Sequence, residues 1–175
     1  MNVIDTKLEG VKIIEPDVFG DDRGFFQETY QRERYRDEVN IDLEFVQDNH
    51  SRSSFGVLRG LHAQVSNPQG KLVRVVRGSV FDVIADGNPT SPTFGEWVGV
   101  EISAENHRQL WVSPGYLHGF VVTSDYADFE YKCTAYYDPK LEIGVRWDDP
   151  FLNIDWPIAE PALSAKDLEL PFLKI

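Results

Sequence analysis

Gly56-Val57-Leu58-Arg59-Gly60-Leu61-His62-Ala63-Gln64 is the stretch around which the chain is organised, because it sets a base, a cation and two glycines close together among apolar residues. His62 can exchange a proton near neutral pH, since the ordinary pKa of histidine is about 6.5. Arg59 can hold a phosphate or carboxylate as a bidentate fork. Gly56 and Gly60 allow a backbone or a ligand to approach closely. A glycine-bent strand with one hydrogen-bonded histidine would explain the same residues, so the rest of the chain has to decide.

Composition predicts one folded domain over residues 1–175, because 42% of the residues are apolar and 13% aromatic. We expect a cytoplasmic protein with no membrane partner, since the chain has neither an apolar run of transmembrane length nor a signal pattern. The single cysteine, Cys133, excludes an internal disulfide. The net charge of −12 argues against a nucleic-acid partner. Clustered Arg and Lys in a cleft can still bind a diphosphate, because salt screens exposed charges beyond roughly 8 Å.

Short β-prone segments separated by Gly, Pro, Asp and Asn run through the chain and predict an all-β sandwich or barrel. The predicted strands are Val11–Ile14, Glu44–Asn49, Lys71–Val76, Ser79–Ala85, Trp97–Ile102, Gln109–Val112, Gly119–Thr123 and Asp128–Tyr136. Thr29–Glu38 is the one predicted helix of any length, and its thin apolar face indicates a surface position. The segment after Trp147 is expected to wrap the outside, with Ser164 capping a last short helical turn.

Alternation in two of these strands predicts which side chains point inward. Phe129, Tyr131 and Cys133 share one face, so Tyr131 should point toward a core or a cavity. Lys71 falls on the same face as Val73, which places its ammonium either at the rim of the sheet or inside a polar pocket.

Metal ligation is the first chemistry to weigh. Cupin-type barrels bind metal through His-x-His, a carboxylate and a later histidine, and here the first pair reads His62-Ala63-Gln64. His118 stands where such a barrel has its last histidine. Two histidines and a glutamine make a poor site, so we expect no metal. The other histidines, His50 and His107, lie in polar, turn-like settings and are expected to be solvated.

Proton transfer next to a carbonyl is the chemistry that remains. The buried setting of Cys133 indicates an inert thiol, and hydrolase, phosphate-loop and dinucleotide motifs are missing from the sequence. A cofactor-free enzyme of this type needs a base, an acid on the opposite face and a donor for the developing enolate. His62, Tyr131 and Lys71 are the right residue types, and Asp167 can orient the histidine. Each also has a structural interpretation: a core aromatic for Tyr131, a rim charge for Lys71 and a helix-terminal carboxylate for Asp167.

Several stretches, in order along nearly the whole chain, resemble the dTDP-4-dehydrorhamnose 3,5-epimerase family. The matching stretches are Val18-Phe19-Gly20-Asp21-Asp22-Arg23-Gly24-Phe25-Phe26, Phe45-Val46-Gln47-Asp48-Asn49-His50-Ser51, Val57-Leu58-Arg59-Gly60-Leu61-His62, Gln69-Gly70-Lys71-Leu72-Val73-Arg74, Ser91-Pro92-Thr93-Phe94-Gly95, Pro114-Gly115-Tyr116-Leu117-His118-Gly119-Phe120, Tyr131-Lys132 and Leu163-Ser164-Ala165-Lys166-Asp167. The resemblance implies a cupin-type jelly-roll barrel of antiparallel strands with a few short helices. It also implies a homodimer that uses no metal or other cofactor.

The implied activity is inversion at C3 and C5 of dTDP-4-dehydro-6-deoxy-D-glucose, on the route to dTDP-L-rhamnose. By resemblance His62 is the base, Asp167 orients it, Tyr131 is the acid and Lys71 stabilises the enolate at O4. The resemblance further implies a set of residues that bind the dTDP-linked 4-keto sugar: Arg23, Glu28, Gln47, Asp48, Asn49, Arg59, Lys71, His118, Glu142 and Lys166.

Two departures from the family pattern stand out, and one geometric condition must be met. The family commonly has an aromatic residue where this chain has Ala63. Just before Ser91-Pro92-Thr93, it commonly reads Asp-Ile-Arg, whereas this chain reads Asp86-Gly87-Asn88-Pro89-Thr90. Strict alternation would put Arg59 and His62 on opposite faces of a strand. We therefore predict a bulge or other irregularity near Gly60.

Three alternatives stay open at this point. A relative that inverts only C3 or only C5, or acts on another 4-keto sugar nucleotide, would keep the same base and acid. A metal-dependent cupin would use His62 and His118. A sugar-nucleotide binding protein would need neither a base nor an acid, so the set of His62, Tyr131 and Asp167 argues against it.

Overall fold

The computed structural model describes residues 1–174 and contains thirteen strands and two short helices within that range. In chain order the elements are β1 (Asn2–Asp5), β2 (Lys12–Glu15), β3 (Val18–Asp21), β4 (Gly24–Gln27), α1 (Arg32–Val39), β5 (Gln47–Ser54), β6 (Leu58–Gln64), β7 (Lys71–Arg77), β8 (Ser79–Ala85), β9 (Trp97–Ser103), β10 (Gln109–Val112), β11 (Leu117–Val122), β12 (Tyr126–Cys133), β13 (Glu142–Gly144) and α2 (Ala165–Leu168). Antiparallel pairing throughout these ladders confirms the predicted all-β jelly-roll class. Across the described residues, neither helix has the length and apolar character needed to cross a membrane.

Two facing sheets enclose the main core. One has the order β1-β2-β10-β7-β12-β5 and the other the order β13-β6-β11-β8-β9, while β3 and β4 form a separate hairpin. Alternate residues of the central strands are buried between the sheets, as Val73 and Phe129 from the first sheet and Ile84 and Phe120 from the second show. The rings of Phe120 and Phe129 stack with centroids 4.2 Å apart. This apolar layer forms the floor on which the polar site described below is built.

The predicted irregularity at Gly60 is confirmed. Between the partners His118↔His62 and Phe120↔Arg59, β6 uses three steps where β11 uses two, so β6 carries one extra residue. Gly60 has φ +119°, and a Cβ on it would come within 2.7 Å of both Gly119 Cα and the carbonyl oxygen of His118. Glycine is therefore required here both for its backbone angle and for the close approach of the two strands. The extra residue turns the side chains of Arg59 and His62 toward the same cavity.

Several predicted boundaries are wrong, and β5 shows why. The prediction placed a strand at Glu44–Asn49, whereas β5 runs from Gln47 to Ser54 and pairs with β12 along its whole length. Polar side chains fill β5 because it is the edge strand of its sheet, with one neighbour. His50 accordingly lies in a strand rather than a turn, with its ring between Asp128 (3.4 Å) and Glu130 (3.3 Å).

Other elements differ from prediction by smaller shifts. The helix predicted at Thr29–Glu38 begins at Arg32, because the Gln31 side chain caps it by accepting the N–H of Arg34. The strand predicted to reach Tyr136 ends at Cys133. The strand predicted at Gly119–Thr123 begins two residues earlier, at Leu117.

The segment after Trp147 returns to β6 and brings α2 to the site. Asp149 is buried and accepts the main-chain N–H groups of Phe151, Leu152 and Leu173, which ties the end of the chain to this turn. Ser164 caps α2 by accepting the N–H of Asp167, as the sequence predicts.

We expect Gly60→Ala to lower the free energy of unfolding by about 3 kcal/mol or more, because it combines a left-handed backbone angle with a backbone clash. Gly115→Ala is the matched control, since Gly115 has φ +102° but would place its Cβ in open space. That variant should cost only about 1–2 kcal/mol. Urea denaturation of both variants checks this, and equal losses would contradict the close-approach argument.

Candidate active site

A histidine and an aspartate from distant parts of the chain meet on the floor of one cavity. His62 Nε2 in β6 lies 2.6 Å from Asp167 Oδ1 in α2, and the Asp167 side chain is 5% exposed. The second carboxylate oxygen, Oδ2, accepts a hydrogen bond from Ser164 Oγ at 2.9 Å. Burial alone would raise the pKa of Asp167, but hydrogen bonds from His62 and Ser164 bring it below the ordinary value. The carboxylate therefore stays charged and orients the imidazole.

Tyr131 and Lys71 enter the same cavity from the facing sheet. Tyr131 packs beside Phe129, with ring centroids 5.8 Å apart, as strand alternation predicts. Burial raises the pKa of the Tyr131 phenol, which keeps it protonated. Burial lowers the pKa of the Lys71 ammonium, although the charges of Asp82 and Glu142 oppose that shift. Of the two structural alternatives for Lys71, the polar pocket is the one observed.

The cavity has a volume of about 360 Å³ and collects most of the residues that the sequence singled out. Its polar lining is Ser51, Arg59, His62, Lys71, His118, Tyr131, Tyr137, Glu142, Ser164, Lys166 and Asp167. Within residues 1–174, neither Arg59 nor Lys71 has a carboxylate oxygen within 4.0 Å, while Lys166 is paired with Glu142 at 2.5 Å. Two basic side chains without a direct carboxylate partner therefore face this cavity, which suits an anionic ligand.

Glu142 joins several groups at the cavity wall. It accepts hydrogen bonds from Lys166 Nζ and the Tyr137 hydroxyl, and its Oε1 lies 3.7 Å from His62 Nε2. Burial would raise the pKa of Glu142, but these two hydrogen bonds lower it. The hydrogen bond to Glu142 in turn raises the pKa of Tyr137 to about 12. Sequence reasoning missed Tyr137, whose only signal was its place just beyond the last strand predicted in that region.

His118 lies directly opposite His62 across β6 and β11 but has its own carboxylate partner. His118 Nε2 is 2.8 Å from Asp82 Oδ1, and both side chains are buried. Burial raises the pKa of Asp82, opposed by the charge and hydrogen bond of His118. Sequence reasoning did not single out Asp82, because it reads as an ordinary polar residue within a predicted strand.

A second cavity of about 220 Å³ adjoins the first and shares five of its residues, among them His62 and Lys71. Gln47 and Asn49, both expected to bind substrate, line it from β5. Their side chains are joined by a hydrogen bond from Gln47 Nε2 to Asn49 Oδ1 of 3.0 Å. A ligand longer than a sugar can therefore extend from the His62 cavity into this one.

Three expected binding residues lie outside both cavities of this chain. Asp48 points to the opposite face of β5, where it pairs with Lys132 at 3.0 Å. Glu28 pairs with Arg34 at 3.4 Å on the surface. Arg23, at the tip of the β3–β4 hairpin, is 88% exposed and lines a separate surface pocket.

The side chains do not assemble a metal centre in the part of the chain that the structure describes. Across residues 1–174, no three His, Cys, Asp or Glu side chains are grouped so that they could hold a metal ion. The Nε2 atoms of His62 and His118 are hydrogen-bonded to Asp167 and Asp82, respectively. Cys133 is buried beside Asn49, and burial raises the pKa of its thiol, in keeping with an inert side chain.

A jelly-roll barrel that gathers an oriented histidine, a protonated tyrosine and a lysine in one cavity belongs to the cupin-type carbohydrate epimerases. A sequence profile of dTDP-4-dehydrorhamnose 3,5-epimerase matches residues 5–174. The enzyme of that name from Shigella flexneri is 54% identical over 169 residues, covering 96% of this chain and 93% of the relative. This chain belongs to the dTDP-4-dehydrorhamnose 3,5-epimerase family.

Two further relatives bear on the site. One is a dTDP-6-deoxy-D-glucose-3,5-epimerase from Legionella pneumophila Philadelphia 1, whose crystal structure is in complex with dTDP-4-keto-L-rhamnose. That structure matches the present one with a TM-score of 0.95. It is 53% identical, and the match covers 98% of this chain and 92% of that one. A dTDP-4-dehydrorhamnose 3-epimerase from Streptomyces niveus is 41% identical over 161 residues, covering 91% of this chain and 78% of the relative.

We expect the stability difference between the wild type and Asp167→Asn to depend on pH. The pKa of Asp167 is below its ordinary value of 3.8 in the folded chain, so its charge stabilises the fold above that pH. This contribution is lost as the pH falls through the lowered folded-state pKa. The difference in unfolding free energy, measured by urea denaturation, should thus persist from pH 7 to about pH 4.5 and shrink toward pH 3. A difference that stays constant down to pH 3 would contradict an ionised, hydrogen-bonded Asp167.

Proposed function

We propose that this chain inverts C3 and C5 of dTDP-4-dehydro-6-deoxy-D-glucose to give dTDP-4-dehydro-L-rhamnose, in dTDP-L-rhamnose biosynthesis. The observation on which the proposal rests is the 2.6 Å contact of His62 Nε2 with Asp167 Oδ1 in a cavity that also contains Tyr131 and Lys71. The family match supports the substrate, and the chemistry follows from the side chains. A cytoplasmic location fits the one free cysteine, Cys133.

His62 acts as the base through Nδ1. When neutral, it carries its proton on Nε2 and uses it to donate a hydrogen bond to Asp167, which leaves the Nδ1 lone pair to remove a proton from carbon. The 4-keto group makes the hydrogens on both C3 and C5 acidic, so one base can serve both positions. Asp167 stays ionised and stabilises the imidazolium that forms.

Tyr131 returns a proton to the opposite face, and Lys71 stabilises the intermediate. As the C–H bond breaks, its electron pair forms the C=C bond of an enolate and negative charge moves to O4. The Lys71 ammonium, which burial disfavours, gains a counter-charge at this moment, so its interaction is stronger with the enolate than with the ketone. Protonation by the Tyr131 hydroxyl restores the ketone with inverted configuration. Solvent then takes the proton from His62 and resupplies Tyr131.

Arg59 and the neighbouring cavity receive the rest of the substrate. The Arg59 guanidinium, anchored by Nε to Ser53 Oγ at 3.0 Å, keeps its remaining donors for a phosphate. Gln47 and Asn49 hold the nucleotide in the second cavity, and His118, Glu142 and Lys166 border the sugar.

Turnover of dTDP-4-dehydro-6-deoxy-D-glucose in heavy water, followed by NMR, tests the reaction. We expect deuterium at both C3 and C5 together with the L-rhamno product. Deuterium at a single carbon would contradict double inversion and indicate a 3- or 5-epimerase. An exchange-inactive chain that still binds dTDP would contradict the epimerase proposal itself.

Substitution of the base and the acid should separate their roles in that assay. His62→Ala should lower exchange at both carbons by about 10³-fold or more, since it removes the group that takes the proton. Tyr131→Phe should retain exchange within about tenfold while inverted product falls by about 10²-fold. Unchanged affinity for dTDP in both variants is the control. Inverted product formed at the wild-type rate by Tyr131→Phe would reassign Tyr131 to packing.

We further infer that the chain works as a homodimer in which the β3–β4 hairpin completes the other subunit's site. The hairpin exposes Phe19, Phe25 and Phe26 by 64%, 63% and 68%, an apolar patch typical of an interface. Arg23 stands at its tip, outside the two site cavities of its own chain. A second copy would bring Arg23 and the nearby Glu28 to a site that otherwise lacks them. The expected role of Asp48 in substrate binding stays a prediction.

Mixed dimers provide the test of this arrangement. His62→Ala and Arg23→Ala should each be nearly inactive alone. After unfolding and refolding as an equal mixture, they should recover about a quarter of wild-type activity, because half of the dimers are mixed and each mixed dimer has one intact site. A mixture of His62→Ala with Asp167→Asn is the control and should recover nothing, since these two residues act in the same chain. Failure of the first mixture to recover activity would contradict the shared site.

A further inference from the structure

Gln64 uses its buried side-chain amide to hold two loops at the mouth of the site. Its Nε2 donates to the carbonyl oxygens of Asn67 (2.6 Å) and Tyr136 (3.2 Å), and its Oε1 accepts the N–H of Asp138 (2.9 Å). Both amide hydrogens and one carbonyl lone pair are therefore used. In the sequence, Gln64 stands where a metal-binding cupin has the second histidine of His-x-His. In the structure, its side-chain amide is hydrogen-bonded to main-chain atoms.

Two other glutamines hold the same segment. Gln47 Oε1 accepts the N–H of Tyr137 at 3.0 Å, and Gln69 Nε2 donates to the carbonyl oxygen of Ala135 at 2.8 Å. Main-chain hydrogen bonds hold the two ends of the segment 134–141, at Thr134 and Leu141. Between those ends, side-chain amides bond the carbonyl oxygens of Ala135 and Tyr136 and the N–H groups of Tyr137 and Asp138. Side-chain amides suit this task because they can donate to main-chain carbonyl oxygens and accept from main-chain N–H groups, and they carry no charge that burial would have to desolvate.

The held segment carries site residues. Tyr137 lines both cavities and donates its hydroxyl hydrogen to Glu142, which lies 3.7 Å from His62 Nε2. Movement of the segment would therefore displace the aromatic wall shared by the two cavities and remove one of the two hydrogen bonds that hold the Glu142 carboxylate, the other being that from Lys166.

We propose that Gln64 is a positioning residue for substrate binding: with Gln47 and Gln69 it fixes residues 134–141, and through them sets where Tyr137 and Glu142 stand in the cavities. The inference rests on the proposed function for its kinetic consequences. The restraint itself can be measured without any substrate.

Gln64→Leu is the first variant, and Gln109→Leu is its matched control. Gln109 is also buried and bridges two groups, accepting from the Tyr35 hydroxyl (2.7 Å) and donating to the Thr29 carbonyl oxygen (2.9 Å), but it lies under α1. We expect Gln64→Leu to speed amide hydrogen exchange at Asp138 by about tenfold or more, since that N–H loses its acceptor. KM for dTDP-4-dehydro-6-deoxy-D-glucose should rise about tenfold, with kcat within about threefold. Gln109→Leu should lower the Tm and leave both of these readouts at wild-type values.

Gln64→Glu gives a second, pH-dependent readout and also serves if Gln64→Leu does not fold. Its carboxylate can still accept the Asp138 N–H but has no hydrogen for the carbonyl oxygens of Asn67 and Tyr136. Protonation restores one donor, so the KM penalty should shrink as the pH is lowered, in a way that the wild type does not show.

The outcomes separate the two proposals. Wild-type KM and wild-type Asp138 exchange in Gln64→Leu, with only a lower Tm, would overturn the positioning role, as would a pH-independent KM in Gln64→Glu. Faster Asp138 exchange and weaker dTDP binding in Gln64→Leu, found alongside a wild type that does not epimerise the sugar, would support the positioning role and overturn the proposed reaction.

Discussion

The close approach of β6 and β11 at Gly60 and Gly119 is the constraint on which the site depends. A Cβ on either glycine would meet the other strand's backbone at 2.7 Å, so side chains are excluded from both positions. The approach absorbs one extra residue of β6, and with this irregularity Arg59 and His62 both line one cavity. A regular strand would have sent the cation to one face of the sheet and the base to the other.

The second requirement is that a carboxylate reach His62 from the far end of the chain. Asp167 is 105 residues away in sequence, and its position depends on the tail returning to β6. Asp149 ties that tail through three main-chain N–H groups, and Ser164 fixes Asp167 by both its hydroxyl hydrogen and its oxygen. The tail is thus part of the candidate active site rather than a simple outer wrapping.

Sequence reasoning succeeded where a local pattern has a unique structural outcome. The bounds of β8 and β10 match their predicted ranges, because apolar β-formers there are framed by clear breaks. The irregularity at Gly60 followed from requiring two side chains to share a face. The hydrophilic strand β5 was predicted with wrong bounds and the hairpin of β3 and β4 was missed, because an edge strand and an exposed apolar ribbon violate the alternation that reveals half-buried strands. Gln64 could not be assigned either, since its partners are main-chain atoms of loops distant in sequence.

Charges are balanced locally at the candidate site, so an acidic chain can still offer a cavity that suits an anionic ligand. The net charge is −12, yet Asp167 is matched to His62, Asp82 to His118, and Glu142 to Lys166. Arg59 and Lys71 are left over among the described cavity residues, and exposed acidic groups farther than roughly 8 Å are screened by salt. In the proposed reaction the two basic side chains have different tasks: the planar set of N–H donors of Arg59 suits the diphosphate. Burial penalises the charge of Lys71, so in that proposed reaction its contribution would be greatest when negative charge appears on O4 and the enolate forms.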